Sequence, residues 1–145
     1  MPGIFGLDLG AKRAGVAYAD LRMPVATPVE TIAFKSKEAL VERLRFLIAD
    51  YDVQKIVVGL PLNLQGENGP AALSVIQQVD WLKTKLSLDW DFCDERLTTS
   101  EVEQVLIEAD VSREDRKGLR DKLAAQRILQ AYLDRPQMKN KDDLS

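Results

Sequence analysis

The 145-residue chain contains no histidine and only one cysteine, Cys93. Without histidine it cannot use a serine–histidine or cysteine–histidine catalytic pair, and no metal ion that it binds can have an imidazole ligand. A single cysteine excludes an internal disulfide framework and suits a reducing compartment, so we expect a cytoplasmic protein. Any enzymatic chemistry must therefore depend on carboxylates, lysines, hydroxyl groups or metal ions.

Long hydrophobic runs are also absent. No apolar stretch approaches the roughly 20 residues needed to span a bilayer, and the N-terminus lacks a signal-peptide pattern, so we expect no membrane association. The hydrophobic fraction of 46% and the charged fraction of 30% are those of an ordinary globular domain. We place one domain at residues 1–135 and expect the polar tail, residues 136–145, to be frayed. A net charge of −3 argues mildly against a nucleic-acid partner.

The order of predicted elements indicates the fold class. Three strands come first, and helices and strands then alternate before two last helices. The strands are predicted at residues 3–9, 13–19, 25–34, 55–60 and 87–93, and the helices at 37–51, 70–86, from about 98, and at 116–133. A three-strand meander followed by β-α-β crossovers implies an α/β fold, a mixed five-stranded sheet flanked by helices.

One strand carries an aspartate where an apolar residue is expected. In "GIFGLDLG", residues 3–10, alternation places Asp8 on the same face as Ile4, Gly6 and Gly10. Burial of its charge is costly unless the carboxylate is paired or binds a metal ion. The alternative is an aspartate near a strand end that bonds the following turn.

A second carboxylate, Asp121, lies within the apolar stripe of the last helix. At 3.6 residues per turn it shares a face with the small and apolar residues that follow it, Ala124, Ala125, Ile128 and Tyr132. This position predicts a carboxylate directed at the sheet. The alternative is a place in the first turn of the helix, where a negative charge suits the helix dipole.

A third carboxylate, Glu95, follows the last predicted strand in "DFCDERLTT". Taken alone it is better explained by a strand-end loop in which it forms an ion pair with Arg96. In open α/β sheets, however, functional groups gather at the carboxyl ends of strands, where Asp8 and Glu95 both fall. Acidic groups that converge there repel one another unless a cation binds them. Oxygen ligands without His or Cys favour Mg²⁺ or Mn²⁺, and two such ions about 4 Å apart can direct water at a phosphodiester.

Four segments of the chain together resemble the signature blocks of a known family. The segments are "GLDLGAKRAGVAYAD", "VVGLPLNLQGENGP", "DERLTTSEVE" and "DKLAAQRILQAYLD", and the likeness extends over residues 3–134. They are similar to those of the RuvX (YqgF) family, bacterial nucleases described as Holliday junction resolvases and as precursor 16S rRNA nucleases. The resemblance implies a ribonuclease H-like fold, with Asp8, Glu95 and Asp121 as the catalytic and metal-binding carboxylates.

Basic and polar residues near these carboxylates are candidates for contacts with substrate phosphates. Two follow Asp8 in a turn, one lies in the loop after the fourth strand, one follows Glu95, and three form a basic segment that could steer a polyanion. They are Lys12, Arg13, Asn63, Arg96, Arg113, Arg116 and Lys117. A solvated hairpin, a plain loop, an ion pair and a solvated helix face remain the respective alternatives.

The leading hypothesis is a metal-dependent nuclease that acts on the 5′ end of precursor 16S rRNA, with association with the ribosome and two Mg²⁺ or Mn²⁺ ions. The alternative substrate is a four-way DNA junction. A junction resolvase would benefit from a two-fold homodimer, whereas a monomer suffices for RNA trimming. Two other hypotheses are a non-catalytic nucleic-acid-binding module and an actin-like phosphotransferase, because "GLDLG" also resembles a phosphate loop.

Overall fold

The computed structural model describes residues 3–62, 65–94 and 113–135. Their order matches the predicted one: three strands, then alternating helices and strands, then a long helix. The strands are β1 (Gly3–Leu9), β2 (Arg13–Asp20), β3 (Met23–Ala33), β4 (Val53–Leu60) and β5 (Asp89–Asp94), and the helices are α1 (Lys37–Tyr51), α2 (Pro70–Lys83) and α3 (Arg113–Asp134). The helix predicted from about residue 98 lies outside the described residues.

The five strands form one mixed sheet in the order β3-β2-β1-β4-β5. β1 pairs antiparallel with β2, which pairs antiparallel with β3, while β4 is parallel to both β1 and β5. The predicted α/β fold, with a meander and β-α-β crossovers, is therefore confirmed. Because β1, β3, β4 and β5 all run in one direction, their carboxyl ends meet at the same edge of the sheet.

Local signals in the sequence explain the element boundaries. The Ser36 hydroxyl accepts a hydrogen bond from the backbone N–H of Ala39 at 3.1 Å and caps α1, the helix predicted at residues 37–51. Pro70 occupies the first turn of α2, where its missing N–H costs nothing. β3 is an edge strand, and its register shifts by one residue beside Pro28, since proline cannot donate to the ladder.

The two faces of the sheet carry separate cores. Phe5, Leu7 and Leu9 of β1 pack under α1 and α2 on one face. On the other face Ile4 packs with the buried residues of α3, which include Ala125 and Ile128. By alternation, Asp8 belongs to the face that α3 covers.

Two glycines let α3 approach the sheet closely. A Cβ atom on Gly15 would lie 1.8 Å from the carbonyl oxygen of Asp121, and one on Gly6 would lie 2.6 Å from the Cβ of Leu129. Any side chain at either position would push the helix off the sheet. The space that glycine leaves beside Asp8 is therefore filled by helix backbone, which brings Asp121 to the carboxyl end of β1.

Candidate active site

Asp8 is a half-buried carboxylate whose negative charge is only partly compensated. It pairs across the ladder with Gly15, and among the described residues no donor forms a hydrogen bond with it. Its pKa is raised from 3.8 to about 6, mainly by burial and next by the negative charge of Asp121, while Arg120 partly opposes the rise. A strongly perturbed carboxylate of this kind is typical of functional sites.

Asp121 lies more than two turns inside α3, because the helix begins at Arg113. Its place in the apolar stripe is therefore not explained by a helix start, which excludes that alternative. Its side chain is only 14% exposed, and its Oδ2 accepts a bond from Nε of Arg13 at 2.7 Å. Arg13 is the first residue of β2, so this ion pair joins the strand next to Asp8 to the helix above it.

The two carboxylates fit a divalent cation. They are close enough for the charge of Asp121 to raise the pKa of Asp8, and a cation between them would relieve that repulsion. Their ligand atoms are all oxygen, which suits a hard ion such as Mg²⁺ or Mn²⁺. Within the described ranges no three potential ligands form a cluster, and the predicted third carboxylate, Glu95, lies outside those ranges.

β5 ends immediately before Glu95, and its side chains alternate between the two faces of the sheet. Trp90 and Phe92 pack on the α1–α2 face, whereas Cys93 packs against the core under α3. Asp91 also faces α3, since its Oδ2 accepts a bond from the hydroxyl of Tyr132 at 2.8 Å.

The other predicted substrate-binding residues divide into three groups. Lys12 and Arg13 lie at the carboxyl end of β1, where they line an open cleft of about 700 Å³. Asn63 and Arg96 lie outside the described residues. The third group belongs to the first turns of α3, whose side chains before residue 118 are not described: Arg113, Arg116 and Lys117.

Sequence reasoning did not identify a group of charged residues around Asp91. Besides the bond from Tyr132, Oδ2 of Asp91 lies 3.5 Å from Arg135 and 3.8 Å from the ammonium group of Lys55. Burial alone would raise the pKa of Asp91, but these partners and the Phe92 N–H lower it below its ordinary value. The aromatic ring of Tyr132 also contacts both cations, at 3.9 Å from Arg135 and 5.1 Å from Lys55.

Known proteins resemble the chain over nearly its whole length. The family model described as "RuvX: Holliday junction resolvase" matches residues 3–135. A protein of Halothermothrix orenii named "Putative pre-16S rRNA nuclease" is 46% identical over 130 residues, which cover 90% of this chain and 93% of that protein. A protein of Listeria monocytogenes serotype 4b with the same name is 47% identical over 133 residues, which cover 90% of this chain and 96% of the other.

Solved structures support the fold. Thermus thermophilus RuvC in complex with a Holliday junction has a TM-score of 0.52 and 12% identity, with coverage of 92% of this chain and 94% of that one. The fowlpox virus resolvase bound to Holliday junction DNA has a TM-score of 0.56 and 9% identity, with coverage of 90% and 96%.

The described residues contain no helix long and apolar enough to cross a membrane.

Proposed function

The chain belongs to the RuvX family, and from that premise we propose that it hydrolyses phosphodiester bonds of nucleic acid with divalent metal ions held by Asp8, Asp121 and Glu95. The observation that carries the proposal is the convergence of Asp8 and Asp121 at the carboxyl end of β1, where the charge of one raises the pKa of the other. Two carboxylates this close together, of which Asp8 accepts no hydrogen bond from the described residues, are costly unless they bind a cation.

The chain's own residues have distinct roles in this proposal. Asp8 supplies oxygen ligands from the carboxyl end of β1, the central strand, and Asp121 supplies them from the helix that Gly15 allows to approach. Arg13 keeps the Asp121 carboxylate in place through their 2.7 Å ion pair. Divalent ions at this site would supply a Lewis acid and lower the pKa of an attacking water.

We assign the third carboxylate to Glu95 on grounds of strand alternation. Asp91 and Cys93 face α3, and Glu95 is the next residue in that series. β5 lies beside β4, and β4 lies beside β1, so the carboxyl end of β5 belongs to the same edge of the sheet as Asp8. Arg96, the next residue, would stabilise negative charge that develops on the phosphoryl oxygens.

Precursor 16S rRNA is the substrate that we propose first. Relatives that are 46–47% identical over nine-tenths of this chain carry that substrate in their names, whereas the junction-bound resolvases are 9–12% identical. A four-way DNA junction is the second candidate, because the family model's description names it. For RNA trimming we expect a monomer that acts in the cytoplasm and associates with the ribosome.

Cleavage of both substrates side by side tests the proposal. The wild-type protein is assayed on a precursor 16S rRNA 5′ segment and on a four-way DNA junction, with Mg²⁺, with Mn²⁺ and with EDTA. We expect cleavage of the RNA with either ion and none with EDTA. Cleavage that persists in EDTA would contradict the metal-dependent mechanism, and cleavage of the junction alone would make it the substrate.

Substitutions of Asp121 test its role as a ligand. Asp121→Asn removes the charge, and Asp121→Glu keeps the charge but moves it by one methylene. Because Mg²⁺ demands near-ideal octahedral geometry, both variants should lose cleavage while remaining folded. Asp89→Asn, the same chemical change at the exposed start of β5, is the matched control and should cleave at the wild-type rate. A fully active Asp121→Asn protein would exclude the ligand role.

A further inference from the structure

The cleft beside Asp121 is built from three separate segments at the carboxyl end of β1. These are the β1–β2 turn, the connection from β3 to α1, and Arg120 and Asp121 of α3. Two backbone bonds fix the first two segments: the Phe34 N–H donates to the Lys12 carbonyl at 3.0 Å, and the Gly10 N–H donates to the Arg13 carbonyl at 2.8 Å. Backbone hydrogen bonds therefore fix the β1–β2 turn and join it to the end of β3.

The charge of the cleft is opposite to that of the chain. Four cationic side chains and one carboxylate, Asp121, line it, which leaves a surplus of three positive charges on a chain whose net charge is −3. The guanidinium of Arg13 is already bonded to Asp121. Lys12 and Lys35 are exposed, and within residues 3–62, 65–94 and 113–135 neither has an ion-pair partner. Their charges are thus available to a ligand.

We propose that this cleft binds the phosphodiester backbone of the substrate strand directly beside the scissile phosphate. Lys12 and Lys35 make the principal contacts, and Arg120 lies where the cleft meets the catalytic carboxylates. The inference rests on the proposed nuclease function and adds the path of the strand, from Asp8 and Asp121 across the β1–β2 turn towards the end of β3. A volume of about 700 Å³ lies within the range of sites that hold small ligands. Contacts of this kind position a strand without selecting its sequence.

The salt dependence of binding tests the proposal without reference to cleavage. Binding of a fluorescent single-stranded RNA and of a four-way DNA junction is measured in EDTA over a series of KCl concentrations. The Lys12→Ala/Lys35→Ala protein should show a flatter plot of log K against log [salt], by about 0.7 per lost contact for single strands and about 0.9 for B-DNA. If the variant's slope is reduced on RNA alone, the cleft binds single-stranded RNA. If the slope is reduced on both RNA and the DNA junction, the cleft binds the backbone of either nucleic acid.

Two control proteins separate a local contact from a general change of charge. Lys83→Ala/Lys85→Ala removes the same charge near the C-terminal end of α2, at the opposite end of the sheet, and should keep the wild-type slope. Lys12→Arg/Lys35→Arg keeps both charges and should also keep it. An unchanged slope for Lys12→Ala/Lys35→Ala, or an equal loss in the α2 control, would overturn the proposal. If the wild-type protein cleaves while the cleft variant binds normally, the nuclease proposal stands and only the cleft assignment fails.

Discussion

Two aspartates under the same helix have opposite electrostatic environments. Asp8 and Asp91 both lie on the face of the sheet that α3 covers, and the ladder places Asp91 level with Gly6, two residues before Asp8. Burial is the largest influence on both and acts in the same direction. Even so, the pKa of Asp8 rises to about 6, whereas that of Asp91 falls below its ordinary value.

The partners of each carboxylate explain the difference. Asp91 accepts bonds from Tyr132 and from the Phe92 N–H and lies near two cations, which together outweigh its desolvation. For Asp8, two residues of α3 act in opposite directions: Arg120 lowers the pKa, and the second carboxylate, Asp121, raises it. One end of α3 thus stabilises an aspartate and the other end destabilises one. The arrangement around Asp91 is typical of structural ion pairs, and the arrangement around Asp8 is typical of a cation-binding site.

The largest expected difference between the two aspartates is in cleavage. Asp8→Asn should reduce the cleavage rate by more than about 100-fold, beyond the usual effect of losing an outer partner of a metal ligand. Asp91→Asn should leave the rate near the wild-type value, because Asp91 is bonded to Tyr132 and Arg135. Single-turnover cleavage of the RNA substrate measures both. Equal losses in the two variants would mean that Asp91 also serves the reaction.

The next largest effect is on stability as a function of pH. The folded protein holds the proton on Asp8 more tightly than the unfolded chain does, so the contribution of Asp8 to stability is most favourable below pH 4 and declines as the pH rises to about 6. At about 1.4 kcal/mol per pKa unit, the rise from 3.8 to about 6 costs about 3 kcal/mol at neutral pH. Asp8→Asn should remove this decline and be more stable than wild type at pH 7.

Asp91 should show the opposite pH dependence. Its lowered pKa contributes stability above the unfolded value of 3.8, and this stability is lost as the pH falls through the folded pKa. Urea unfolding of wild type, Asp8→Asn and Asp91→Asn at pH 3, 4, 5, 6 and 7 separates the two contributions. A wild-type stability that rises between pH 4 and pH 6 as it does in Asp8→Asn would contradict the assignment of the raised pKa.

Divalent ions should stabilise the protein through Asp8 but not through Asp91, by an amount comparable to the pH effect of Asp8. An ion that binds only the folded state adds about 2.7 kcal/mol at 100 times its dissociation constant. Mg²⁺ or Mn²⁺ should therefore raise the melting temperature of wild type and of Asp91→Asn, but have little effect on Asp8→Asn. Calorimetric melting with and without the ion, at constant ionic strength, measures this. Equal shifts in all three proteins would place the ion elsewhere.

Much of the fold could be predicted because its signals are local. The apolar run of β4, the Ser36 cap and the apolar stripe of α3 each depend on residues within a few positions of one another. The same local periodicity placed Asp8 on the face of its strand that carries Ile4 and Gly6, and directed Asp121 at the sheet. Both expectations depend on counting along one element, which a single sequence allows.

The unpredicted features are contacts between elements that are distant in sequence. Arg13 and Asp121 are 108 residues apart, and Tyr132 and Asp91 are 41 apart, so no local pattern couples them. Alternation along β5 puts Asp91 and Cys93 on one face, but it cannot show which residue of α3 lies opposite. The role of Gly15 likewise emerges only when the helix backbone is seen 1.8 Å from where its side chain would begin.

The smallest predicted effect concerns Tyr132, which joins the structural aspartate to α3. Tyr132→Phe keeps the ring against Arg135 and Lys55 but removes the 2.8 Å bond to Asp91. Because the Asp91 side chain is 40% exposed, the loss should be about 1 kcal/mol, below the usual range for a bond to a charged group. The low-pH loss of stability should begin at a higher pH, since the pKa of Asp91 rises without that donor.

Cleavage by Tyr132→Phe should stay within about twofold of wild type, because Tyr132 lies eleven residues, or roughly 16 Å, along α3 from Asp121. Tyr132→Leu, which also removes the ring, is the matched control and should lose more stability but no more activity. A large fall in cleavage by the Phe variant would show instead that the bond at one end of α3 sets the position of the carboxylate at the other. The two aspartates would then belong to one mechanism, and the distinction between a structural and a functional carboxylate would fail.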